Sequence, residues 1–160
     1  MPDSAGATIA PLHPGPLALV VDADHAERLG ISRMIRRLGY PTRSCRRGAD
    51  ALSFVQSHLR RVSVLIADLG MSGRDGGELV ERVLDLDRTM RVILMADLQE
   101  PRSAELLGVY RDLPHLLKPI RLADLYGVLM ALVGPVRPIP TPHSVTARRQ
   151  RTRRPIHRPQ

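Results

Sequence analysis

Apolar residues in this chain fall into two patterns. Short continuous runs, Leu17–Val21, residues 64–67, 91–96 and 115–117, are each bounded by turn formers or charges, and they read as strands buried on both faces of a parallel sheet. Residues 40–45 add a shorter strand. Between the runs, apolar residues recur every three or four positions. Ile31, Met34, Ile35 and Leu38 mark an amphipathic helix over 25–38, closed by Gly39 as a C-cap. Residues 49–59 form a second helix with Ala51, Leu52 and Val55 inward, and residues 78–86 a third. A fourth opens with Pro101 in its first turn and carries Glu105, Leu106 and Leu107, but Gly108 and Pro114 cut it short. The last helix, 120–133, places Leu122, Leu125, Val128, Leu129 and Leu132 on one stripe. Five strands alternating with five helices predict an α/β fold: a doubly wound five-stranded parallel sheet with right-handed crossovers.

The stretch around which this pattern is organised is residues 64–76. Its apolar run ends on Asp68 and passes at once into Gly70, Ser72, Gly73, Asp75 and Gly76. In open α/β sheets ligands bind outside the carboxyl ends of the strands, so Asp68 is a candidate nucleophile or metal ligand. An ordinary loop-capping role is the competing reading, because aspartate is common where strands stop. The first strand also ends on acids, Asp22-Ala23-Asp24.

Charge sharpens the picture. The net charge of +8 is concentrated beyond residue 135, where seven arginines and no acid occur, leaving seventeen basic against sixteen acidic residues elsewhere. Lys118 is the only lysine among 24 basic residues. A chain that otherwise uses arginine has placed its one compact ammonium before Pro119, where a point charge rather than a planar fork is called for.

Composition sets the remaining bounds. The 160 residues, 43% hydrophobic but only 2% aromatic, suit one domain with an aliphatic core. Cys45, the single cysteine, excludes an internal disulfide, and nothing beside it in sequence would activate the thiol. No apolar run approaches a membrane span and the N-terminus lacks a signal-peptide pattern, so a soluble cytoplasmic protein is expected. The expected organisation is a disordered leader over 1–16, one domain over 17–134, and a disordered Pro/Arg-rich basic tail over 135–160 with no output module. The tail is a candidate contact for nucleic acid or an acidic surface, and equally a solvated charge run.

Together these residues resemble a bacterial two-component response-regulator receiver domain. The matching features are Val20-Val21-Asp22, Leu38-Gly39-Tyr40, Gly48 before Ala51-Leu52, Asp68 with Met71 and Asp75-Gly76 downstream, and Lys118-Pro119. The resemblance implies a flavodoxin-like sheet of strand order 2-1-3-4-5 and a non-enzymatic signalling module. It also implies that Asp68 accepts a phosphoryl group from a sensor histidine kinase or phosphotransfer protein, with Lys118 contacting that group across a cis Lys118-Pro119 peptide. Mg²⁺ would be held by Asp22, Asp68 and the Gly70 carbonyl.

Two departures fall in the chemistry. Ala23 stands where the family has its second acid, so Mg²⁺ binding is expected to be weak unless Asp22 or Asp24 swings in. Met95 is assigned to the position of the hydroxylated switch residue and His115 to that of its aromatic partner. Three readings follow: a receiver that accepts phosphate inefficiently on Asp68, a phosphate-independent pseudo-receiver, or a DxD-type phosphatase with Asp22 as nucleophile. In the first two, the last two helices and the last strand bind a downstream partner or a second copy through Leu106, Leu107, Leu113 and Leu125.

Overall fold

The computed structural model describes residues 16–71 and 75–136. Residues 1–15, 72–74 and 137–160 lie outside the described residues, and with them most of the expected leader and tail. The elements are β1 (Leu17–Val21), α1 (His25–Arg37), β2 (Thr42–Cys45), α2 (Gly48–Ser57), β3 (Val62–Asp68), α3 (Asp75–Leu86), β4 (Arg91–Ala96), α4 (Pro101–Val109), β5 (His115–Leu117) and α5 (Leu122–Leu132). All strand pairs are parallel, in the order β2-β1-β3-β4-β5. This is the flavodoxin-like order expected from the sequence.

Side chains alternate across the central strands, and the alternation splits the core in two. Ala18, Val20, Val64, Ile66, Ile93 and Met95 face α1 and α5, where they meet Ile31, Ile35, Leu125 and Leu129. Leu19, Val21, Leu65, Ala67, Leu94 and Ala96 face the other way, against Ala51 and Val55 of α2 and Leu79, Val80 and Val83 of α3. Both faces are covered, which is why these strands read as unbroken apolar runs.

Three helix boundaries follow from identifiable caps. Asp24 is the N-cap of α1, its carboxylate accepting the Glu27 N–H at 2.8 Å. At the other end Gly39 adopts φ +92°, a conformation a side chain would strain. Its N–H and that of Tyr40 reach back to the Arg36 and Ile35 carbonyls, the paired bonds of a Schellman turn. Tyr40 is therefore part of the helix stop, and β2 begins at Thr42 rather than at residue 40. The third helix starts three residues earlier than its apolar stripe indicated, at Asp75. Glu100 caps α4 by accepting from the Arg102 and Ser103 N–H groups, with Pro101 in the first turn, and the helix runs through Gly108 to Val109.

Beyond α5, the Tyr40 hydroxyl donates to the Gly134 carbonyl at 2.6 Å, and Val136 packs on the α1–α5 side of the core. Among the described residues no helix is long and apolar enough to cross a membrane.

The expected partner face needs one correction. Leu125 is fully buried in the core, and Leu106, Leu107 and Leu113 are half-buried against it. The exposed apolar residues of this region are instead Leu98, Val109, Leu117 and Tyr126. A stripe at helical spacing identifies the inward face of a helix, and Val109 and Tyr126 lie off it.

Candidate functional site

Three loops converge at the carboxyl ends of β1, β3 and β5. Asp68, the last residue of β3, is 5% exposed, and its Oδ1 accepts the Gly70 N–H at 3.2 Å. Asp22, one residue past β1, is 1% exposed, and its Oδ1 accepts the Asp24 N–H at 2.8 Å. Arg28 braces the loop from outside, donating to the Asp22 carbonyl at 2.7 Å. Lys118 follows β5, its N–H held by the Ala96 carbonyl at 2.9 Å, and the Lys118–Pro119 peptide is cis. The structure thus brings Asp22, Asp68 and Lys118 into one pocket, with Gly70 at its rim.

The ammonium of Lys118 lies 3.0 Å from Asp68 Oδ1 and 3.6 Å from Asp22 Oδ2, and its side chain is only 17% exposed. A third carboxylate, that of Glu27 in the first turn of α1, also bonds the ammonium. Sequence reasoning did not single out Glu27. Burial works against the ammonium, but the Glu27 hydrogen bond and the charges of Asp68 and Asp22 outweigh it, so the Lys118 pKa is raised.

Burial dominates at Asp22 and pushes its carboxyl up to about 6, against the lowering effects of the Asp24 N–H and Lys118. Its Oδ2 is buried with no hydrogen-bond partner. Because the folded-state pKa lies above the unfolded value of 3.8, the native state binds the proton more tightly. This group therefore destabilises the fold progressively as pH rises from about 4 to about 6, on the order of 3 kcal/mol in full. We expect Asp22→Asn to raise stability by about 2 kcal/mol at pH 8, and by about half as much at pH 5. Urea denaturation at the two pH values measures this, and an equal effect at both would contradict it.

Three further expected positions, those of Asp24, Met95 and His115, lie outside this cluster. Asp24 is exposed and its carboxylate caps α1, so drawing it into the pocket would forfeit a cap worth about 1 kcal/mol. Met95 pairs with Asp68 in the β3–β4 register, but its side chain is fully buried in the α1–α5 core. A one-residue step along a strand changes face, so the other residue at the end of β4 is Ala96, which offers only a methyl group. The hydroxyl that approaches this end is that of Ser103, which accepts the Asp97 N–H at 3.0 Å. His115 is exposed on β5, its Nδ1 3.3 Å from the Leu113 carbonyl.

The donor set bears on a divalent cation. Among the described residues no group of three His, Cys, Asp or Glu side chains is arranged to hold a metal, and Ala23 contributes no side-chain oxygen. The two buried carboxylates, with an Asp22 Oδ2 that accepts no hydrogen bond, still fit a hard cation, as a two-carboxylate site completed by backbone and water.

Relatives share this arrangement of chain. The Arabidopsis thaliana two-component response regulator ARR2 is 31% identical over 116 residues, covering 72% of this chain but 17% of that protein. The chain spans a fifth or less of the length of such plant relatives. The Bacillus subtilis sporulation initiation phosphotransferase F is 27% identical over 110 residues, 67% of this chain and 85% of that one. Among solved structures, the Vibrio cholerae chemotaxis protein CheY4 superposes with a TM-score of 0.64 at 22% identity, over 74% of this chain and 98% of its own. A Clostridium thermocellum receiver domain gives 0.66 at 17%, over 74% and 94%. These two likenesses speak for the fold. A family model, the response regulator receiver domain, matches residues 18–129, and the chain accordingly belongs to the receiver-domain family of two-component systems.

Proposed function

We propose that this receiver takes a phosphoryl group on Asp68 from the phosphohistidine of a sensor kinase or phosphotransfer protein, in the cytoplasm, and signals through protein contacts. The observation that carries this reading is the buried pairing of Asp68 with the only lysine of the chain at 3.0 Å, at the carboxyl edge of the sheet. In the transfer, an Asp68 carboxylate oxygen forms a bond to phosphorus. The donor's P–N bond breaks and its electron pair stays with the imidazole. Such transfers need little covalent help beyond charge neutralisation, and Lys118 is placed to supply it.

Receiver domains as a family bind Mg²⁺ at their acidic pocket. In this chain Asp68, Asp22 and the Gly70 carbonyl are the groups that would hold it, and the ion supplies charge neutralisation to the phosphoryl oxygens when bound. With Ala23 in place of an acid, we expect that affinity to be low.

A second reading, a phosphate-independent interaction module, is favoured by Ala23 and by the absence of a hydroxyl at Met95 and Ala96. In either case the exposed Val109, Leu117 and Tyr126 on α4, β5 and α5 are suited to a protein partner or a second copy. The phosphatase alternative is weakened, because Asp24, its acid/base, is engaged in capping α1.

Intact-mass measurement after incubation with Mg²⁺ and acetyl phosphate separates the readings. We expect one added phosphoryl group in the wild type and none in Asp68→Ala. No gain in the wild type at any donor concentration would establish the phosphate-independent module instead.

A further inference from the structure

The sequence Asp24-His25-Ala26-Glu27 has the form of a capping box, in which the N-cap side chain bonds the N3 amide and the N3 glutamate reaches back to the N-cap amide. Only the first half is made. The Asp24 carboxylate accepts the Glu27 N–H at 2.8 Å, but the Asp24 N–H is already taken by Asp22 Oδ1 at 2.8 Å. Glu27 is thereby released from its local partner. Its carboxylate instead crosses to Lys118, 91 residues along the chain, at the mouth of the pocket.

This places one ammonium among three carboxylates. Asp22 and Asp68 are buried and fixed by the loops that carry them, whereas the Glu27 side chain is half exposed and free to swing into solvent. A phosphoryl group on Asp68 raises the local negative charge by one: Asp68 forms a P–O bond, the donor's bond to phosphorus breaks, and acetate leaves with that electron pair when acetyl phosphate is the donor. The ammonium cannot serve the new oxygens and Glu27 equally well.

We infer that Glu27 is the resident counter-anion of the pocket: it holds Lys118 in the unphosphorylated protein and must be displaced by the phosphoryl group that arrives on Asp68. The inference rests on the reading of Asp68 as phosphoacceptor. It makes Glu27 a positioning residue that slows charging of the receiver by repelling the donor and occupying the lysine. It also assigns the missing acid of the β1–α1 loop a substitute in charge four residues further on, directed at the lysine.

Because Lys118 is the only lysine, lysine-selective ¹⁵N labelling yields a single side-chain ammonium signal with no assignment problem. In Glu27→Gln, we expect water exchange of that ammonium to accelerate by about tenfold, since a charge-assisted bond is lost. We expect the initial rate of phosphoryl gain from acetyl phosphate, followed by intact mass, to rise by about fivefold on removal of one adjacent like charge. Glu27→Asp, which keeps the charge but shortens the reach, should restore the slow phosphorylation in part and the ammonium exchange very little. Phosphorylation of wild type and Glu27→Gln at equal rates would overturn the role of Glu27 while leaving Asp68 as acceptor. No phosphoryl gain in either protein would overturn the acceptor reading and the displacement with it, and unchanged ammonium exchange would overturn the pairing itself.

Discussion

Replacing Lys118 with methionine is expected to destabilise the protein by about 3 kcal/mol at neutral pH, because it leaves buried carboxylates without their counter-ion. Asp22 and Asp68 are 1% and 5% exposed, and the Lys118 ammonium is the cation that contacts both. Methionine fills a similar volume, so the loss is electrostatic rather than a packing defect. The sign of the pH dependence follows from the two groups. Lys118, with its raised pKa, contributes fully below about 10.5 and loses that contribution only in strong alkali. Asp22, with a pKa pushed up to about 6, takes up its proton below that value and then needs no cation. The deficit of Lys118→Met should therefore shrink between pH 7.5 and pH 5. Guanidinium denaturation of both proteins at the two pH values tests this, and equal midpoints at pH 7.5 would show that the ammonium does not hold the pocket together.

The second large effect is expected at Gly76, in the first turn of α3. A Cβ there would lie 2.7 Å from the Asp68 carbonyl oxygen and 3.1 Å from the Leu69 Cα, backbone atoms of the site strand that cannot turn aside. Gly76→Ala should force α3 away from the end of β3, at a cost of about 1–3 kcal/mol, and should slow phosphoryl gain by displacing Asp68. Gly108→Ala is the matched control. Its Cβ would meet nothing within 4 Å, so the higher helix propensity of alanine should stabilise α4 by up to about 1 kcal/mol. Opposite signs in thermal denaturation are the expected result. A neutral Gly76→Ala would mean that the close approach of α3 to Asp68 is not a constraint.

Much of this was legible in the pattern of apolar residues. Buried parallel strands carry a continuous signal, so β1, β4 and β5 were located to the residue, and Asp68 was identified because it ends such a run. Lys118 was conspicuous as the single lysine. What the sequence hid was whatever depends on direction or on distant contact. Met95 and Ala96 are neighbours, and only the pleat shows that the first enters the core on the side of α1 and α5 while the second turns toward α3. Glu27 has the address of a capping residue, and its true partner is identified only once the loop after β1 folds and Asp22 takes the Asp24 amide. Leu125 shared a stripe with half-buried neighbours, and the packing of α5 on the sheet decided that it was core.

The hydrogen bond from Tyr40 to the Gly134 carbonyl fixes a point of departure as well as a helix end. The strands are parallel and their carboxyl ends carry Asp22, Asp68 and Lys118, so the Schellman turn that precedes β2 lies at the opposite pole of the sheet. Val136, the last described residue, therefore lies on the far side of the sheet from the chemistry, next to the end of α1. For labels this separation is useful: a reporter attached at Gly134 or Val136 starts out away from the pocket.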